Sequence, residues 1–354
     1  MGKRIFLKKE NPYEPYFLLA SVMLLGLVLF FMFGNPFEKS EENYDCGDGS
    51  FNGFCSEIKP YYCSNAVLLE NASFCGCSKN LIAKEESCFS DYKNNSMEIK
   101  LKYFIRGEEK EINFIVYKDM ADYLATISRE INYFGEDTPS REDFKLKKLN
   151  EVNQNQLLLP LVVQIQNLAK DKEEQMRIAV SIAQNIEWGF SNKTSRFGRN
   201  QLNYSRYPYE VLQDSQGVCG EKSELLAFLL RELGFNIALF YNQPENHESL
   251  GIKCPEKYSW KGSGYCFVET TGPSIITDTS IEYIGGLRLS SKPEVIFISD
   301  GISLGDDLYE YKDAKDLMRI REKMLETGKI NYFDIKKLDK LNEKYGLVDE
   351  YNAA

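Results

Sequence analysis

Apolar positions along the 354-residue chain recur with changing period, and the changes divide it into blocks. Residues 16–33 form an apolar run without a charged side chain. As a helix it would rise about 27 Å, close to the hydrocarbon thickness of a bilayer. Strict alternation at 97–105 and 112–117 predicts a hairpin turning at Arg106-Gly107, and 119–133 reads as a helix. Spacings of three and four predict helices at 154–170 and 173–188, with Pro160 placed to kink the first. The clearest helical stripe is 221–233, with Leu225, Phe228, Leu229 and Leu233 on one face and Gly234 as terminator. Strand-like runs follow at 235–241, 247–253, 264–271, 274–279 and 294–299, and helices at 311–327 and 334–345 end the chain.

Charge sets the orientation of the first block. Lys3, Arg4, Lys8 and Lys9 precede the apolar run, and Glu38, Glu41 and Glu42 follow it. The positive-inside rule therefore makes 1–15 a cytoplasmic tail and 16–33 an uncleaved, single-pass transmembrane helix in the cell membrane. The rest of the chain is then extracytoplasmic. Net charge is −10, and the first 33 residues contribute +2, which leaves −12 outside. So acidic a domain disfavours a nucleic-acid partner. The sequons at Asn71, Asn94, Asn192 and Asn203 all fall on the outer side.

Nine cysteines are distributed unevenly. Cys46, Cys55, Cys63, Cys75, Cys77 and Cys88 crowd into 45–90 beside Gly47, Gly49, Gly53 and Gly76, a stretch too short for a core of its own. In an oxidising compartment this is a disulfide module with fifteen possible connectivities. A zinc site is the rival reading, although no Cys-x-x-Cys pair is present. Cys254 and Cys266 flank a loop between two strand-like runs and are candidates to staple it. Cys219 is left as the odd thiol.

Cys219 stands at the start of the Leu-rich helix, where unpaired N–H groups and the helix dipole favour a thiolate. The alternative role for such a cysteine is a small buried apolar residue. Against that, the chain's single histidine, His247, opens the second strand-like run, and Glu269 lies in the third. Thiol, imidazole and carboxylate in that order can make a nucleophile, a base and the group that orients the base. A register placing His247 directly opposite Glu269 differs by four residues from one placing Cys254 opposite Cys266, so both pairs cannot be directly opposed in one ladder. Upstream, Gln184 and Trp188 lie one helical turn apart and both carry N–H donors suited to stabilising an oxyanion, with Gln184 the stronger candidate.

At Gly217-Val218-Cys219, His247 and Glu269, and across 174–188, 207–212 and 269–273, the chain resembles the transglutaminase-like superfamily, in particular its membrane-anchored archaeal members. The resemblance covers about 170–280. It implies an α+β fold with a papain-like core, a cysteine-bearing helix on an antiparallel sheet, with Cys219, His247 and Glu269 at the triad positions. His247-Glu248-Ser249 stands where the family at large has His-Ala-Trp, and Glu269-Thr270-Thr271 where it has Asp-Pro-Thr. Asp278 is a fallback for the acid.

The expected organisation is thus a disulfide module at 45–90, a hairpin and helix lead-in at 97–150, a catalytic domain at 151–292 and an extension at 293–354. The expected activity is attack on protein or peptide amides through a thioester, resolved by water (peptidase or amidase) or by an amine (acyl transfer). A non-catalytic surface module on the same fold is the alternative from another class. No cofactor or metal is implied, since Asp300, Asp306 and Asp307 lack the spacing of a calcium loop.

Overall fold

The computed structural model describes residues 23–24, 45–79, 81–197, 200–283 and 288–347. The expected cytoplasmic tail and, apart from Met23 and Leu24, the expected membrane span lie outside the described residues. Among the described residues no helix is long and apolar enough to cross a membrane.

Residues from Asp45 onward form one compact unit. It begins with two small hairpins, β1 (Tyr61–Ser64) with β2 (Val67–Glu70) and β3 (Ile82–Lys84) with β4 (Ser87–Phe89), separated by the short helix α1 (Ala72–Cys75). Three disulfides hold them, Cys46–Cys63, Cys55–Cys75 and Cys77–Cys88. The long hairpin β5 (Ser96–Ile105) and β6 (Glu108–Tyr117) follows, its two-residue turn made by Arg106 and Gly107, both at positive φ. Two positive-φ residues give the turn the twist that antiparallel strands need. Helices α2 (Lys118–Thr126), α3 (Arg141–Leu149), α4 (Val152–Leu168) and α5 (Lys172–Asn185) come next.

The disulfide module does not stand apart. Asn167 of α4 accepts from Leu68 N at 2.8 Å and donates to Leu68 O at 3.0 Å, so it behaves as one more strand partner for β2. Val163 of α4 packs among Cys46, Tyr61, Cys63 and Leu68. Gly47, at positive φ, lies so close to Gln166 O that a Cβ would meet it at 2.8 Å. The inward faces of β5 and β6 (Ile99, Leu101, Ile112, Phe114) share a single core with α4, α5 and the later elements.

The second half holds the sheet. After β7 (Glu187–Trp188), β8 (Thr194–Phe197), β9 (Asn200–Asn203), α6 (Pro208–Asp214) and β10 (Gln216–Gly217) comes α7 (Cys219–Glu232), every residue of which from Glu221 to Leu230 is buried. It packs on an antiparallel sheet of order β13-β12-β11-β14, formed by β11 (Ile237–Asn242), β12 (His247–Lys253), β13 (Tyr265–Val268) and β14 (Glu294–Ser299). Helices α8 (Tyr309–Thr327) and α9 (Tyr332–Tyr345) pack on each other through Ala314, Leu317, Leu338 and Leu341. The fold is α+β, a helix with a cysteine at its N-terminus against an antiparallel sheet.

Three expected elements differ. The helix read at 173–188 ends at Asn185, because β7 breaks away to pair in parallel with β10, Gly217 opposite Trp188. The helix read at 119–133 stops at Thr126, where the Arg129 guanidinium takes the Leu124 and Ile127 carbonyls. A separate helix, α3, begins only at Arg141, and its Ser140–Asp143 capping box is visible in the sequence. The run 274–279 forms no strand: Thr277 sits at positive φ and Asp278 N closes a turn onto Ile275 O. Pro160 lies inside the single helix α4.

Candidate active site

The N-terminus of α7 is built to project Cys219. The Glu221 carboxylate accepts from Val218 N at 3.1 Å and from Arg206 N at 2.7 Å, and pairs with the Arg206 guanidinium at 2.9 Å. Arg206, buried, also pairs with Asp214 and donates to the carbonyls of Gly189 and Phe190. One guanidinium therefore ties the residues after Trp188 to the turn that carries the thiol. On the other side, Gly220 faces the Glu248 carboxylate, which a Cβ at that position would meet at 2.4 Å. Glu248 is held by Lys145 at 2.6 Å, and Lys145 also pairs with Glu224 at 2.7 Å, joining α3, α7 and β12.

The ladder places the other two groups. Ile252 stands opposite Cys266 and Leu250 opposite Val268, a register midway between the two that the sequence offers. Both pairs are consequently diagonal neighbours, which lets the Cys254–Cys266 disulfide and the His247–Glu269 contact coexist. His247 Nε2 lies 2.9 Å from Glu269 Oε2. The Cys219 thiol lines the same cleft as the ring and acts on it to raise its pKa. Cys219 is the free cysteine among the described residues, half-buried, while His247 and Glu269 are buried.

Glu269 is saturated with donors. Its Oε1 accepts from Thr270 N, Thr271 N and Thr271 Oγ1, each at 2.8 Å, and its Oε2 from His247 and the Tyr283 hydroxyl. Burial alone would raise its pKa, but these bonds and the imidazolium charge lower it to about 2. For His247 burial works downward, and the influence of Cys219 and Glu269 outweighs it, raising the pKa from 6.5 to about 10. The arrangement favours a charged imidazolium beside the Glu269 carboxylate.

Tyr283 is a participant that the sequence reading missed. Its ring lies 4.4 Å from the His247 ring, centroid to centroid, and its hydroxyl donates to Glu269. Burial and the neighbouring carboxylate raise its pKa, so it remains a donor. Lys222 was missed as well. Fully buried one turn after Cys219, it donates to Gln184 O, Ile186 O and Thr271 O, gathering the end of α5 and the segment after Glu269 onto α7. Burial lowers its pKa to about 8, against the opposing pull of Glu269.

Gln184 does not face the thiol. Its Nε2 donates to Glu269 O at 2.9 Å and to Ser274 O and Oγ, so its amide braces the acid's own segment. Trp188 lines the cleft beside Cys219, stacked edge-on with Phe190 at 4.8 Å. Asp278 is taken by Arg321 and Ser280 and makes no bond to His247. Of Asp300, Asp306 and Asp307, Asp306 pairs with Lys257, and no group of acidic, histidine or cysteine side chains among the described residues could hold a metal ion.

Cys219, His247 and Glu269 open into a cleft of about 820 Å³. The C-terminal part of the chain contributes to its lining through Leu317 of α8, Leu338 of α9 and Leu347 just after α9.

No family model and no curated protein matches the chain. Among solved structures it is similar to Legionella pneumophila LapG at 18% identity, with a TM-score of 0.27, over 52% of this chain and 97% of that one. A calcium-bound form of LapG matches at 15% identity and an EGTA-treated form at 14%, each with a TM-score of 0.24, over 49% and 51% of this chain and 98% of each of theirs. Superpositions this loose carry no argument.

Proposed function

We propose that the chain is a cysteine enzyme acting on protein or peptide amides through a thioester, with Cys219 as nucleophile, His247 as base and acid, and Glu269 holding the ring. The observation that carries this reading is the His247 imidazole, bonded to the fully saturated Glu269 carboxylate and lining one cleft with the Cys219 thiol at a helix N-terminus. Sγ attacks the carbonyl carbon and the thiol proton resides on His247. The oxyanion forms next to Cys219 N–H, one of the donors that a first helical turn leaves without an intrahelical partner. Collapse breaks the C–N bond as His247 returns its proton to the departing amine. Water then attacks the thioester to give an acid, or an amine attacks to give a new amide, with His247 taking the proton.

Four disulfides around one free thiol suit an oxidising compartment, and with the basic residues and apolar run of the N-terminal segment they support a membrane-anchored, extracytoplasmic enzyme. The test is the pH dependence of iodoacetamide alkylation at Cys219, in wild type and His247→Ala. Alkylation that persists below pH 7 in the wild type and falls at least tenfold there in the variant is expected. Equal rates in the two proteins would sink the assignment.

A further inference from the structure

The cleft beside Cys219 has chemistry of its own. Its lining includes Trp188, 46% exposed, and Phe190, 75% exposed, together with Leu317, Leu338 and Leu347. Exposed aromatic rings next to a half-buried thiol are unusual for a surface that only faces water. Among the described residues, each charged side chain lining this cleft already has partners. Glu245 accepts from the N–H and hydroxyl groups of Ser290 and Ser291, Glu282 pairs with Arg288, Arg321 with Asp278, and Glu269 is saturated. A charged substrate side chain entering between these apolar groups would shed its water, and an acidic one would find no free cation, whereas an apolar one would bury area at no such cost.

We infer that the segment recognised by this site is an uncharged, apolar stretch of polypeptide, with large aliphatic or aromatic side chains flanking the attacked carbonyl and seated against the Trp188–Phe190 pair and the leucines of the C-terminal segment. The occupant follows from continuity, since Cys219, His247 and both apolar groups line the same cavity. The inference rests on the thioester reading, and it adds what that reading leaves open, the chemistry of the substrate. Both groups come from outside the sheet: Phe190 follows β7, held there by Arg206 on its carbonyl, and Leu347 follows α9, its N–H bonded to Asn342 O.

The probes that test it are peptidyl α-ketoamides, whose electrophilic carbonyl carries peptide on both sides. Sγ adds to that carbonyl, a C–S bond forms as the C=O π bond breaks, and the thiol proton moves through His247 to the oxygen, with no oxidant or reductant involved. Binding is read as protection of Cys219 from iodoacetamide in the full oxidised chain. Probes flanked by Phe or Leu are expected to protect at concentrations at least tenfold lower than probes flanked by Lys, Glu or Gly. In the Phe190→Ala/Leu347→Ala variant that discrimination is expected to shrink to within about threefold. Equal protection by all probes, or discrimination that survives in the variant, would overturn the apolar subsite while leaving the thioester reading intact. A Cys219 whose alkylation ignores both the probes and His247→Ala would instead remove the reading on which the subsite rests.

Discussion

At the scale of single residues the site consists of two ionisable partners whose shifts run in opposite directions, and the sign of each sets a pH window. Glu269 is lowered from 4.5 to about 2, so its contribution to stability is in place above pH 4.5 and is lost as pH falls through 2. His247 is raised from 6.5 to about 10, so its contribution is in place below pH 6.5 and is lost as pH rises through 10. The difference in thermal midpoint between wild type and His247→Ala is therefore expected to be largest between pH 4.5 and 6.5 and to shrink on both sides. Thermal melts across pH 3 to 10 check this, and a difference that widens steadily above pH 6.5 would contradict the ion pair. The three groups at the centre were legible because a lone histidine, an odd cysteine and an acid fall on successive elements. Tyr283 was not, since nothing separates it from the other tyrosines among the chain's 22 until the fold sets it on His247. Lys222 and Arg206 were hidden for a similar reason: surface residues by type, they are buried here because carbonyls and carboxylates from distant segments converge on them.

At the scale of elements, the helix with the cysteine and the strand with the histidine are coupled by one missing methyl group. Gly220 lets the Glu248 carboxylate lie against α7, and Lys145 holds that carboxylate in place, so it cannot swing aside freely. Gly220→Ala is expected to cost about 1–3 kcal/mol by overpacking, read from urea unfolding, and to displace β12 and with it His247. In a Glu248→Ala background the same substitution is expected to cost at least about 1 kcal/mol less, because the two residues are in contact. Additive costs would show that the contact does not couple them. The sequence indicated most helices and the sheet strands by their period, but not the register of β12 with β13. Hydrophobic alternation sets which face points inward and is unchanged by a shift of two residues, so the His–Glu and Cys–Cys pairs each suggested a ladder and neither was the one formed. Helix ends were lost where long-range contacts override propensity, as at Trp188, which pairs with the cysteine turn instead of extending α5.

For the whole molecule, cysteine number says more than any periodicity. Counting six, two and one was possible from the sequence, but choosing among fifteen connectivities was not, because Cys46, Cys55 and Cys75 find their partners only through the pairing of β1 with β2 and the docking of that hairpin on α4. The role of the last two helices was hidden in the same way, since their apolar stripes read as ordinary core until they contribute to the lining of the cleft. A chain of this design should carry four cross-links that contribute stability and one thiol that must remain reduced to be reactive. Alkylation of the oxidised chain in denaturant without reductant, followed by mass measurement, is therefore expected to add one adduct, located at Cys219. The same treatment after full reduction adds nine, the number of cysteines present. In Cys219→Ser the unreduced count falls to zero. Three adducts in the unreduced wild-type chain would mean that one of the four bridges does not form. An adduct on Cys254 or Cys266 would point to the bridge beside the His247–Glu269 pair, and the diagonal register that accommodates both would then have lost one of its two reasons.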